Sequence, residues 1–236
     1  MGSDEDAIDR AITILDRSPA VVARGHAASS RELEVAERAI GTDFPPSYRK
    51  FLSTVGPIQI GYNDGSACSL LVYGLTKRTG LPDVVWSYGL GRTAESRRFL
   101  SIAQWHLGSL NYLPYKWFAL DLAQKDKDSG EYPITTYHGS PYESKNEVVV
   151  QSFGAWLLAT LEEVVPLSVE MWQKRIDFPN HATSTQEYGQ PGPPVFFSKC
   201  ACGWSSHLTP SMADAREDGE NHSQHPERMQ AQPYWK

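Results

Sequence analysis

The sequence predicts an α+β protein, in which helices flank a sheet of short antiparallel strands and a small Cys/His module follows. Three observations predict it. Apolar residues recur at helical spacing before Gly56 and again after Ser152. Between those segments, β-branched and aromatic residues fall into short runs separated by Gly, Asn and Asp. After Pro194 the apolar pattern fades, and two Cys and a group of His take its place. The chain has 236 residues, 40% of them hydrophobic and 21% charged, so it can bury a core without staples and lies far from the composition of a disordered chain.

Ala7, Ile8, Ala11, Ile12 and Leu15 share one helical face behind the capping candidates Ser3 and Asp4, which predicts an opening helix that ends near Ser18-Pro19. Ser29-Ser30-Arg31-Glu32 has the form of a capping box, and Leu33, Ala36 and Ile40 then face inward until Gly41 stops the helix. Pro45-Pro46 suits a first helical turn, and Tyr48, Phe51, Leu52 and Val55 form the stripe of a third helix closed by Gly56. The period then changes. Ile58 and Ile60 alternate with polar neighbours, and the runs Leu70 to Leu75, Phe99 to Ile102, Trp117 to Leu120 and Tyr132 to Tyr137 read as a meander of about five or six strands. Asp121 to Gly130 is polar enough to be a hairpin loop. Ser152 caps a helix carrying Phe153, Trp156, Leu157, Thr160, Leu161 and Val164 on one face, expected to end before Pro166, with Trp172 and Ile176 in a last helical turn. Asp177 to Pro194 is rich in Pro, Gly, Asn, Ser and Thr and reads as a linker. The expected organisation is a domain over 1–176, a linker over 177–193 and a small module over 194–236.

The run Leu33-x-x-Ala36-Glu37-x-x-Ile40-Gly41-x-x-Phe44-Pro45-x-x-Tyr48-x-x-Phe51-Leu52-x-x-x-Gly56 resembles the opening of the SUKH superfamily, the SMI1/KNR4-like proteins. The later segments follow in that family's order: a strand and acidic hairpin from Phe118 to Ile134, then a closing helix introduced by Ser152-Phe153. The resemblance covers roughly residues 5 to 166. It implies a mostly antiparallel bent sheet flanked by N-terminal and C-terminal helices, and a non-enzymatic binding protein. Bacterial members of the family are mostly immunity proteins that block a polymorphic toxin, often a nuclease or deaminase; eukaryotic members are regulatory scaffolds. The implied partner is therefore a cognate toxin, with a regulatory scaffold role as the alternative.

Charge fits a basic partner. Twenty-two Lys and Arg against twenty-eight Asp and Glu give −6 at pH 7, which steers a basic protein and disfavours nucleic acid. The same charge is also an ordinary solubility charge. Asp121, Asp126, Asp128 and Glu131 cluster on the predicted hairpin and are the candidate partner-binding residues. A calcium-loop reading of this cluster fails, because a loop starting at Asp126 needs Gly sixth and Glu twelfth, where Glu131 and Tyr137 stand.

Signs of catalysis are lacking. His106 and His138 lie beside aromatic residues with no nucleophile at an interpretable spacing, and Cys68 has no His or Asn that singles it out. Gly89-Leu90-Gly91 lacks the remaining features of a phosphate-cradling loop. The aromatic residues from Trp86 to Trp117 suit core packing or an interface equally in sequence. No apolar run approaches the ~20 residues of a membrane span, and the acidic start lacks the features of a signal peptide. A cytoplasmic protein that is not an enzyme is the expectation.

The sharpest chemical signal is in the tail. Cys200-Ala-Cys202-Gly203-Trp204 precedes His222-Ser-Gln-His225, which assembles two thiolates and two imidazoles, the donors of a closed zinc site. Gly203 relieves the tight turn, and Met212 to Asn221 reads as a short helix presenting His222 and, one turn on, His225. The run is similar to small zinc-binding modules with a Cys-x-Cys-Gly-Trp start and a distal His. Two alternatives stand beside it: a disordered tail, and a site in which His207 replaces one of the pair. Zinc held by Cys200, Cys202, His222 and His225 would be structural, because protein fills all four positions.

Overall fold

The corner between the second and third helices is built by the residues that carry the resemblance. The structure is a computed structural model, and it describes residues 4–18, 20–61, 69–75, 83–89, 96–106, 116–138, 147–189, 193–202, 206 and 209–226. Helix α1 spans Asp4–Arg17, and α2 spans Ser30–Ile40 behind a complete capping box. Ser29 N–H donates to the Glu32 carboxylate at 2.8 Å while Glu32 N–H donates to Ser29 Oγ at 3.3 Å. The Ser29 hydroxyl, which donates to the same carboxylate at 2.7 Å, and then the Ser29 N–H hold the Glu32 carboxyl at about 2. The chain leaves α2 through Gly41 at φ 87°, a left-handed conformation that glycine adopts without a Cβ clash.

Pro45 then caps α3 (Pro46–Thr54), with proline in its first turn. Glu37 locks the corner from inside: its carboxylate accepts from Phe44 N–H at 3.0 Å and pairs with the Arg49 guanidinium. Tyr48 is fully buried, and its hydroxyl donates to the Tyr73 carbonyl at 2.9 Å. Its ring packs edge-on to Phe44 and against Phe51 and Phe153.

Seven strands make one antiparallel sheet in which each strand pairs with its neighbours in sequence. They are β1 (Val21–Arg24), β2 (Ile58–Ile60), β3 (Ser69–Val72), β4 (Phe99–His106), β5 (Lys116–Asp121), β6 (Ile134–His138) and β7 (Glu147–Val150). Helix α4 (Val84–Gly89) and a 3-10 turn over Ser96–Arg98 lie between β3 and β4. Helix α5 (Phe153–Ile176) packs on β2, β3 and β7, with α1 and α3 against it. Ile58, Ile60, Leu70, Val72, Leu100, Phe118, Leu120 and Ile134 from the sheet meet Phe153, Trp156, Leu157 and Leu161 of α5 in one core. The α+β class, the antiparallel sheet and helices at both ends agree with the sequence reading. Among the described residues, no helix is long and apolar enough to cross a membrane.

Five elements depart from expectation, among them strand β7, whose residues fall in none of the runs read as strands. Helix α5 passes through Pro166 instead of ending before it. The ring removes one backbone donor, but Leu161, Val164 and Val165 before it and Val169 after it all pack on the core, which outweighs that loss. Strand β1 and helix α4 are short elements with no periodic pattern of their own. Finally, the segment expected as a linker over 177–193 contains strand β8 (Thr183–Tyr188), which pairs antiparallel with β9 (Val195–Cys200). Its Thr-Ser-Thr alternation suits a strand, although the surrounding composition is that of a loop. Helix α6 (Met212–Gln224) packs across both strands.

Candidate functional site

The geometry of the β8–β9 hairpin decides which side chains meet. Thr183 and Cys200 are register partners, so continuing each strand by two residues brings His181 and Cys202 to the same place. Helix α6 starts at the cap Ser211, whose hydroxyl accepts from Asp214 N–H at 3.2 Å. It lies flat on the hairpin through Gly219: a Cβ there would fall 2.8 Å from Thr183 Oγ1 and 2.9 Å from Ser198 Oγ. His222, one turn after Gly219, is thereby carried to the strand ends and is buried.

His181, Cys200, Cys202 and His222 form one group, each offering a ligand atom, with all four atoms within 4.8 Å of one another. His181 Nδ1 lies 3.3 Å from His222 Nε2, and Cys202 Sγ lies 3.3 Å from the same Nε2. Cys200 Sγ is 3.9 Å from His181 Nδ1 and receives the Cys202 N–H at 3.4 Å. The His181 and His222 rings meet edge to face at 5.2 Å, and Phe178 packs edge-on to His181 as well. Two sulfurs and two imidazole nitrogens facing one point, with no carboxylate in the group, can hold a soft or borderline metal ion.

Three of the four ligands expected from sequence therefore come together, and the fourth place is taken by His181. His225 ends α6 as its C-cap, where its N–H donates to the Asn221 carbonyl at 3.0 Å, and it is outside the group. The i, i+3 spacing of the two His pointed to a helical pair, but His225 already leaves helical geometry, with φ −137° and ψ 64°. His181 was missed because a single His in a Pro- and Asn-rich stretch has no motif. The readable signal was the pair of strands around Gly189 to Pro194, whose closure returns the chain to His181. His207, Gly203, Trp204 and Cys68 lie outside the described residues.

The acidic hairpin divides in two. Asp121 is 1% exposed and Glu131 2%, so both carboxylates are turned inward from the exposed face of the hairpin. This corrects the expectation that both carboxylates face a partner. The Asp121 carboxylate accepts from Arg98 Nε at 2.8 Å and Nη2 at 2.5 Å, from Gln124 Nε2 at 2.8 Å and from Ala123 N–H at 3.1 Å. Burial alone pushes this carboxyl up, but the bonds from Arg98, Ala123 and Gln124 together outweigh it and hold it below its usual range.

Glu131 accepts from Ser47 N–H and Ser47 Oγ, both at 2.8 Å, and also from the backbone at Phe153, so it joins the N-terminal turns of α3 and α5. Here burial wins, and the carboxyl is pushed up. Asp126 and Asp128 are exposed. Asp126 Oδ1 accepts from the N–H groups of Ser129 and Asp128, which shapes the turn and lowers its own carboxyl. Between this loop, α1 and α3 lies a cleft of ≈ 410 Å³ walled by Asp4, Glu5, Lys50 and Glu131. Lys50 is engaged there by Asp9 at 2.7 Å.

No protein-family model matches the chain, and no curated protein sequence matches it.

Proposed function

We propose that the chain is a non-enzymatic immunity protein of the SUKH type, which binds a cognate toxin, a nuclease or deaminase, in the cytoplasm and neutralises it by occluding it. One observation carries the reading. The residues of the Glu37 to Phe51 run that resembles the family are those that build the α2–α3 corner, ahead of an antiparallel meander and a Ser152-introduced helix in the family's order. The surface charge adds to it, because Asp126 and Asp128 stand exposed beside a cleft bearing Asp4 and Glu5 on a chain of net charge −6. A basic toxin meeting that side gains long-range steering and a fast on-rate. The Cys/His cluster in this reading holds a structural zinc ion, whose borderline softness suits two thiolates and two imidazoles, with no position left for a catalytic water.

The test is affinity capture from the native cell, followed by growth assays that express each captured protein alone and together with this chain. A toxic partner whose effect is reversed by co-expression is the expected result. Captured proteins that are non-toxic signalling or envelope components would replace this reading with the regulatory scaffold.

A further inference from the structure

Resting on the zinc reading above, we infer that His181, and not His225, is the fourth protein ligand, and that through it the ion fastens the end of α5 to the β8–β9–α6 unit. The distances argue for the ligand set. A tetrahedral zinc with bonds of about 2.3 Å to sulfur and about 2.0 Å to nitrogen has nitrogen–nitrogen edges of roughly 3.3 Å and sulfur-containing edges of roughly 3.5 to 3.8 Å. The His181 Nδ1 to His222 Nε2 distance is 3.3 Å, two of the four sulfur–nitrogen distances, 3.3 and 3.9 Å, lie on either side of the second value, and all four atoms lie within 4.8 Å of one another.

The orientation of His181 argues for the joint. Its Nε2 lies 3.4 Å from the carbonyl of Ile176, the last residue of α5, while its Nδ1 faces the thiols and His222. With Nε2–H donating to that carbonyl, the lone pair of Nδ1 is left for the ion, the usual way in which an outer hydrogen bond fixes the tautomer and aim of a ligating imidazole. The ion therefore reaches the end of α5 through one ring. Asn180 holds the intervening turn, its side-chain oxygen accepting from Ala182 N–H at 2.9 Å.

Among the described residues, the C-terminal unit has little else to hold it: the buried hydrophobic cluster includes none of them beyond α5, and the buried positions of the unit are Ser198, Cys200, Ala215, Gly219 and His222, all small or polar. A unit with so small an apolar interior depends on its metal for folding.

The test uses the full chain, with zinc per chain measured by elemental analysis, zinc affinity by competition with a chromophoric chelator, and limited proteolysis read by mass spectrometry. Wild type is expected to hold about one zinc. H225A is expected to keep it with affinity changed by less than about threefold. H181A is expected to lose affinity by about a hundredfold or more, and at saturating zinc to become cleavable between Ile176 and Thr183 while residues 4–176 stay resistant. H181C separates ligation from folding, because a thiolate at the same place restores zinc binding, whereas a packing role for the ring would not be rescued.

If H181A binds as wild type does, or H225A is the variant that loses zinc, the inference is overturned and the zinc reading stands. If H181A loses zinc but the segment stays resistant, the ligand is right and the joint is wrong. If wild type binds no zinc, the zinc reading fails and this inference with it.

Discussion

Asp121 and Glu131 are two buried carboxylates with opposite pH behaviour. For Asp121, burial is outweighed by Arg98, Ala123 and Gln124, so its folded value lies below the ordinary 3.8. Its contribution to stability is present above that value and is lost as pH falls through the folded one. For Glu131, burial dominates and the folded value lies above 4.5, so its contribution is present below the ordinary value and is lost as pH rises through the folded one. Asp121→Asn is therefore expected to cost about 1 to 3 kcal/mol at pH 7. The deficit should shrink as pH falls below 3.8, because the wild-type carboxylate is then itself protonating. Denaturant unfolding at a series of pH values checks this; a deficit that does not change with pH would contradict the assignment. From sequence these two residues were indistinguishable from Asp126 and Asp128, since a run of acids in a polar loop does not say which will turn inward. The partners that bury them, Ser47 and Arg98, are 84 and 23 residues away.

At the scale of elements, legibility followed local chemistry. Helix α2 was readable in full because its capping box and its Gly41 exit are local devices. Ser29→Ala is expected to lower stability by about 1 kcal/mol, measured by the unfolding midpoint at constant m-value. Helix α5 outruns its expected end because Pro166 is only a local stop signal, while the packing of Val169 beyond it on the core is tertiary. Strand β8 was lost for the converse reason: six residues of strand sit inside a stretch whose Pro, Gly and Asn content is that of a linker. The same omission hid His181, which joins the cluster only because the hairpin closes. Gly219 marks how tightly the helix must approach that hairpin. Gly219→Ala places a Cβ 2.8 Å from Thr183 Oγ1 and 3.0 Å from Ser198 Cβ, and is expected to push α6, and His222 with it, off the hairpin. Zinc affinity should fall by about tenfold, roughly 1.4 kcal/mol. Gly189→Ala, with open space around its Cβ position, should leave it unchanged. Equal effects from the two substitutions would show that α6 does not need its present seat.

At the scale of the molecule, two kinds of stabilisation divide the chain. A large apolar core built from α1, α2, α3, α5 and the seven-stranded sheet holds the described residues of 4–176, and in the proposed reading a metal at the Cys/His group holds the C-terminal unit. Chelation is expected to expose 177–226 to protease while the thermal transition of the larger part stays within about a degree or two, since less than 1 kcal/mol of its stability is at stake. A downward shift of the whole transition would show that the two parts fold as one. The charge belongs to this scale as well. The exposed acids Asp126 and Asp128 should set the association rate with a basic partner rather than the lifetime of the complex. Reversing both to Lys should slow association by about tenfold at low salt and by much less at high salt.

The central claim is that the chain acts by binding and not by turnover. It is tested most directly by titrating the purified chain into a fixed amount of the captured toxin while following the toxin's own activity. Inhibition is expected to grow linearly and to be complete at one chain per toxin molecule. Complete loss of toxin activity at a small fraction of one equivalent, growing with time, would mean that the chain modifies its target catalytically and would contradict the account.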